Sequence, residues 1–162
     1  MDSTAQLVDQ AISSRRSVRA FLPTPIALDT VEAMLATASR APSGSNIQPW
    51  RVYVLTGRAK DALSTELLAA HDTMRDSSDT EHQLEYQYYP RQWFEPYLGR
   101  RRQLGWALYS LLGIGKGDHA KSHTQHGRNL TFFGAPVGLM FTLDRRLELG
   151  SWVDCGMFIQ NV

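Results

Sequence analysis

Ala41-Pro42-Ser43-Gly44-Ser45-Asn46-Ile47-Gln48-Pro49-Trp50 is the stretch on which the reading of the fold turns, because it joins two different periodicities. Upstream, Asp29 and Glu32 have the spacing of a capping box, and Val31, Met34, Leu35 and Ala38 fall on one face of a helix beginning near Asp29. Downstream, Arg51-Val52-Tyr53-Val54-Leu55 reads as a strand. The small side chains of the loop let its backbone approach a flat ligand closely. Ser43, Ser45, Asn46 and Gln48 add groups that can donate or accept hydrogen bonds. Prolines at both ends restrict the loop, which is the preorganisation a binding site needs. Taken alone, the stretch reads more readily as a capped helix-to-strand connection.

Working outward towards the N-terminus, residues Ser3 to Ser14 form a helical pattern. Ser3 and Gln6 make a capping box, and Leu7, Val8, Ala11 and Ile12 share a face. Arg15-Arg16-Ser17-Val18-Arg19 follows, and Pro23 and Pro25 confirm the break. Extended residues alternate in direction, so Arg15, Ser17 and Arg19 can share one side, and guanidinium geometry matches two phosphate oxygens. The competing reading is a solvated basic turn at a helix C-terminus, where cations suit the dipole.

Towards the C-terminus, Thr56-Gly57 turns the chain into a helix from Arg58 to about Ala70, carried by Leu63, Leu67 and Ala70. His71 to Tyr89 is polar and reads as a surface excursion or a lid. Pro90 to Leu112 is aromatic and helical, and Gly113-Ile114-Gly115-Lys116-Gly117 ends it. A helix is expected from Asp118 towards Phe132, then a strand over Val137–Thr142 after Pro136. The charged turn Asp144-Arg145-Arg146 comes next, followed by a helix capped by Ser151 and running from Trp152 to Val162. The pattern is α+β, a single domain over residues 1–162. The last helix reaches Val162 without a C-cap glycine, which suggests a polypeptide that stops inside its domain.

The composition narrows the function classes. With 43% hydrophobic and 20% charged residues, the 162-residue chain is an ordinary globular one rather than a disordered one. A net charge of +1 gives no global field towards nucleic acid or an anionic membrane. Cys155 is the only cysteine, so an internal disulfide is excluded. There is no run of eighteen apolar residues and no basic-then-apolar start, so a soluble cytoplasmic protein is the expectation.

Together, Arg15-Arg16-Ser17-x-Arg19-x-Phe21 and Ala41-Pro42-Ser43-Gly44-x-Asn46-x-Gln48-Pro49-Trp50 resemble the FMN-dependent nitroreductase family. Phe133-Gly134-Ala135-Pro136-Val137 and Gly150-Ser151-Trp152-Val153-Asp154 extend the likeness over nearly the whole chain. The aromatic block Tyr89 to Tyr97 looks closest to the nitrobenzoate reductase-like branch. The resemblance implies a mostly antiparallel central sheet flanked by helices, in an intertwined homodimer with FMN at the subunit interface. It implies that Arg15 and Ser17 hold the phosphate and ribityl chain, and that Arg19 lies by the pyrimidine end of the flavin. Arg16 matches the motif. Pro42, Ser43, Gly44 and Asn46 would cover the flavin from the other subunit, with Gln48 supporting the loop. The implied chemistry is ping-pong reduction of a nitroaromatic or similarly flat acceptor by NAD(P)H, with no catalytic protein nucleophile or acid. Members of the family continue beyond the helix that starts at Ser151, and their further segment supplies contacts to the flavin and an arm around the partner.

Other signals point elsewhere. Gly113 to Asp118 fails as a dinucleotide fingerprint, which needs glycine at Asp118, and as a P-loop, which needs Ser or Thr at Gly117. His119, His123 and His126 have helical spacing and suggest a metal-binding protein or hydrolase as the alternative enzyme class. Arg100-Arg101-Arg102 near Trp93, Tyr97 and Trp106 suggests a basic, aromatic nucleic-acid module. In the flavin reading, the same arginines would meet a carboxylate-bearing substrate, and no nucleic acid or membrane partner is expected. Cys155 reads as a buried core thiol.

Overall fold

The computed structural model describes residues 3–76 and 86–162. The middle of the polar His71–Tyr89 stretch lies outside the described residues. The chain divides into two compact units, Met1–Lys60 with Phe133–Val162, and Asp61–Phe132.

The first unit opens with helix α1 (Thr4–Ser13). Its capping box is formed: the Ser3 hydroxyl accepts the Gln6 N–H at 3.3 Å, and the Gln6 side chain accepts the Ser3 N–H at 2.6 Å. The stripe of Leu7, Val8 and Ile12 is at least half exposed, and no residue of α1 is buried. Helix α2 (Leu28–Ala38) buries Val31 and Ala38 and half-buries Met34 and Leu35, the face its spacing specified. Its start differs from the expectation. Ala27 is the N-cap and makes no side-chain bond, so Asp29 sits in the first turn as a charge complementing the helix dipole, rather than as a cap.

Strand β1 (Arg51–Thr56) pairs antiparallel with β2 (Val137–Thr142), in a register running from Arg51 opposite Thr142 to Thr56 opposite Val137. Val52 and Phe141 are direct partners and therefore lie on one face, against which helix α6 (Leu149–Asn161) packs. Phe158 of α6 is almost fully buried, with its ring 4.9 Å from that of Trp50 and 5.7 Å from that of Phe141. Ala38 and Ala41 complete this core, with Leu35 and Met157 at its edge. The Asn161 amide donates to the Ala38 carbonyl at 3.3 Å and ties α6 to the end of α2. Helix α6 starts before the expected Ser151 cap. Glu148 is its N-cap, and Ser151 is buried in the first turn. In the turn after β2, the Arg146 guanidinium forks onto Asp144 at 2.8 and 2.9 Å and holds that carboxyl well below the usual carboxylate range.

The second unit carries most of helix α3 (Gly57–Asp76), then α4 (Tyr97–Leu111) and α5 (His119–Gly127). α3 runs past the expected end near Ala70 because its polar extension finds partners. The His71 ring stacks on His123 at 4.0 Å, and Asp72 bonds His123 at 2.7 Å. Gly127 is buried where α5 meets α3, and a Cβ there would lie 3.1 Å from Leu68. α5 starts where expected, and Asp118 caps it: its carboxylate accepts the Lys121 N–H at 3.1 Å, and this bond, together with the Lys121 ammonium, holds the carboxyl below its ordinary pKa. It ends at Gly127 rather than near Phe132, because the chain then turns tightly and Phe132 and Phe133 take left-handed backbone angles. Among the described residues, no helix is long and apolar enough to cross a membrane.

Candidate functional site

The loop after α2 is built to hold an unusual backbone. Ser45, Asn46 and Gln48 have φ of 49°, 56° and 47°, the left-handed region that costs a non-glycine residue of order 1 kcal/mol or more. That cost is met by specific bonds. The Ser43 hydroxyl accepts the Gln48 N–H at 3.0 Å, and the Gln48 side-chain amide donates to Asn46 Oδ1 at 3.0 Å. The Gly44 N–H donates to Asp154 Oδ2 at 3.1 Å, a link from the loop to α6. Asp154 is itself buried. Pro42, Gly44, Asn46 and Gln48 are nevertheless exposed, and Ser43 is half-buried. The structure thus brings the residues of the loop motif together on a fixed, accessible backbone.

The arginine motif is arranged differently. Beyond the C-cap of α1 at Ser14, Arg15, Arg16 and Ser17 are exposed in irregular chain, and Arg19 is half-buried. Arg19 reaches the Ser17 carbonyl at 3.5 Å. Among the described residues, no carboxylate pairs with Arg15, Arg16 or Arg19, and no hydrogen bond joins this segment to the loop motif. Three guanidiniums and a hydroxyl without an acidic partner are the donor set an anion such as a phosphate requires.

The remaining candidates divert to protein partners. His123 bonds Asp72, His126 Nε2 lies 3.1 Å from the Tyr109 hydroxyl, and among the described residues no group of three His, Cys, Asp or Glu could hold a metal ion. The Arg101 guanidinium lies over the Trp93 ring at 4.9 Å, and Arg100 over Tyr97 at 5.8 Å. Cys155 is buried, and burial pushes its thiol pKa up, away from reactivity.

One site residue escapes a reading of the sequence. Asp154 anchors Gly44 across 110 positions. The signal for it is an acidic residue placed among Trp152, Val153, Cys155, Met157 and Phe158 in an otherwise apolar helix, since a carboxylate is rarely buried without a partner.

Comparison with known proteins extends this picture. A model described as the nitroreductase family matches residues 12–162. The chain is 43% identical over 154 residues to a 4-nitrobenzoate reductase of Pseudomonas putida, an alignment covering 95% of this chain and 65% of that protein. It is 38% identical over 159 residues to a nitrobenzene nitroreductase of Ectopseudomonas oleovorans, covering 98% and 68%. Among solved structures, the FMN-dependent nitroreductase NfnB from Mycobacterium smegmatis in complex with NADPH superposes with a TM-score of 0.88. It is 31% identical, and the match covers 98% of this chain and 69% of that one. The chain therefore spans about two thirds of the length of the relatives it matches.

Proposed function

The chain belongs to the nitroreductase family, and from that premise we propose that it binds FMN as a homodimer and uses NAD(P)H to reduce nitroaromatic or similarly flat acceptors. The observation that carries the reading is the loop Pro42–Gln48, with its exposed, bond-locked, left-handed backbone; the chain also carries a second motif whose guanidiniums pair with no carboxylate among the described residues. The two donor sets fit the two ends of a flavin nucleotide. Bound FMN would supply the two-electron exchange between the nicotinamide and the acceptor.

The residues of the chain would bind and orient. Arg15 and Ser17 would hold the phosphate and ribityl chain, with Arg16 adding positive charge beside them. Arg19 would place its guanidinium by the pyrimidine end, where a cation favours the reduced, more negative ring. Pro42, Ser43, Gly44 and Asn46 of one subunit would cover the ring held by the arginines of the other, and Gln48 would keep Asn46 in place. One face serving two flat substrates in turn gives ping-pong kinetics. Since position and charge are the only contributions needed from the protein, no side chain need act as a nucleophile or acid. A nicotinamide reductant suits the cytoplasm, and neither nucleic acid nor membrane has a role in this scheme.

The test is the visible absorption spectrum with FMN added, recorded with the elution volume. It is applied to this chain and to this chain extended by the C-terminal third of a relative. Flavin bands on a dimer in either protein support the reading. Colour in neither overturns it.

A further inference from the structure

A cleft lies within the Asp61–Phe132 unit, apart from both motifs. It measures about 880 Å3 and opens between α4 and α5, within the size range of pockets for small ligands. Its walls combine two chemistries. Trp106, which is 71% exposed, and Tyr109 offer aromatic faces, while Arg101, Arg102 and Lys116 offer cations. An indole left this open in a cleft wall is a surface that a flat ring can cover.

Among the described residues the charge of the cleft is unbalanced: Asp118 is the only carboxylate of these that lines it, and its oxygens are committed to the backbone N–H and the ammonium of Lys121 at 3.1 Å each. Arg101, Arg102 and Lys116 pair with no carboxylate among the described residues. Arg101 is steadied over Trp93, and the Tyr109–His126 bond fixes one wall to the other. The cleft therefore holds cations and a stacking surface in one place, with its acid already satisfied.

We propose that this cleft binds a small aromatic anion, its ring against Trp106 and Tyr109 and its carboxylate or phosphate on Arg101, Arg102 and Lys116. The site goes beyond the flavin chemistry proposed above and does not depend on it. A carboxylated aromatic acceptor and the adenosine phosphate of a nicotinamide nucleotide share this chemistry. A polynucleotide suits it less, because the charge is local and the whole chain carries only +1.

The experiment is titration of the protein with 4-nitrobenzoate, adenosine 2′-monophosphate, uncharged nitrobenzene and a single-stranded oligonucleotide, read by calorimetry and tryptophan fluorescence. FMN binding is measured separately on the same samples, so a failure of the flavin reading leaves this result intact. One of the two small anions binds and quenches fluorescence, and the tighter one identifies the source. Arg102→Gln and Lys116→Gln each weaken it about tenfold, as loss of a charge-assisted bond should. Trp106→Phe keeps binding by calorimetry and loses most of the quenching. The proposal is overturned if neither anion binds, if nitrobenzene binds as tightly as nitrobenzoate, if both charge variants bind like the parent, or if only the oligonucleotide binds.

Discussion

The loop Pro42–Gln48 and the segment Arg15–Arg19 belong to the same compact unit and to the same proposed cofactor site, yet they are held in opposite ways. The loop is fixed by its own side chains and by Asp154, at the cost of left-handed backbone angles at Ser45, Asn46 and Gln48. The arginine segment has one long internal bond, from Arg19 to Ser17, and side chains that are largely exposed. The difference separates two kinds of recognition. A flat ring needs a surface whose shape exists before binding, because reshaping a backbone would consume the small gain from stacking. A phosphate needs charge, and long guanidinium side chains can be ordered by the ligand itself.

The comparison can be broken most severely from the loop side. Phe158 holds α6 between Trp50 and Phe141, and α6 in turn presents Asp154 to Gly44. Phe158→Ala should cost about 3–5 kcal/mol of stability through the lost burial and the cavity left behind. Denaturant unfolding measures this directly, and a loss below about 1 kcal/mol would mean that the core around Phe158 is not what fixes the loop.

The arginine side is tested by ligand affinity instead. Arg15→Ala should weaken FMN binding about ten- to hundredfold, the range for one charge-assisted phosphate bond, while leaving unfolding within about 0.5 kcal/mol of the parent. Raising the salt concentration should narrow the gap between variant and parent. A variant that loses stability instead of affinity would reverse the assignment.

Asp154 sharpens the contrast because it is remote in sequence and bonds the loop at Gly44. Asp154→Ala leaves the Gly44 N–H without its partner and should cost about 1–3 kcal/mol of stability. If the loop covers the flavin, the variant should also shift the flavin absorption bands, a signature that a purely structural loss would not produce at a temperature where the fold persists. Asp154→Asn keeps an acceptor oxygen and should restore most of both.

These differences also mark what could be read from the chain alone. Both motifs, the two strands, the start of α5 and the capping of α1 rest on residues a few positions apart, so they are legible locally. The starts of α2 and α6 are not. Ala27 and Glu148 serve as caps by backbone geometry without a side-chain bond, and a search for polar caps passes over them. The length of α3 is set by contacts of His71 and Asp72 with His123, some fifty positions away. The hold of Asp154 on Gly44 is more distant still. Propensity carries no information about such pairs, and only the packed structure supplies it.

The smallest and most discriminating change is Ser45→Gly. With φ at 49°, Ser45 occupies a region that glycine enters freely. If folded-state strain were the whole effect, the variant should gain up to about 1 kcal/mol. Glycine also enlarges the freedom of the unfolded chain, which offsets roughly 0.4–1 kcal/mol of that gain. The net stability change should therefore be near zero or slightly positive, where serine at an ordinary angle would give a clear loss. FMN affinity separates the two contributions. A loop whose shape is already fixed by Ser43, Gln48 and Asp154 should bind almost as before. A loop that relied on serine's restricted backbone should bind several-fold more weakly at unchanged stability, and the contrast between a preformed loop and a ligand-ordered arginine segment would then be one of degree.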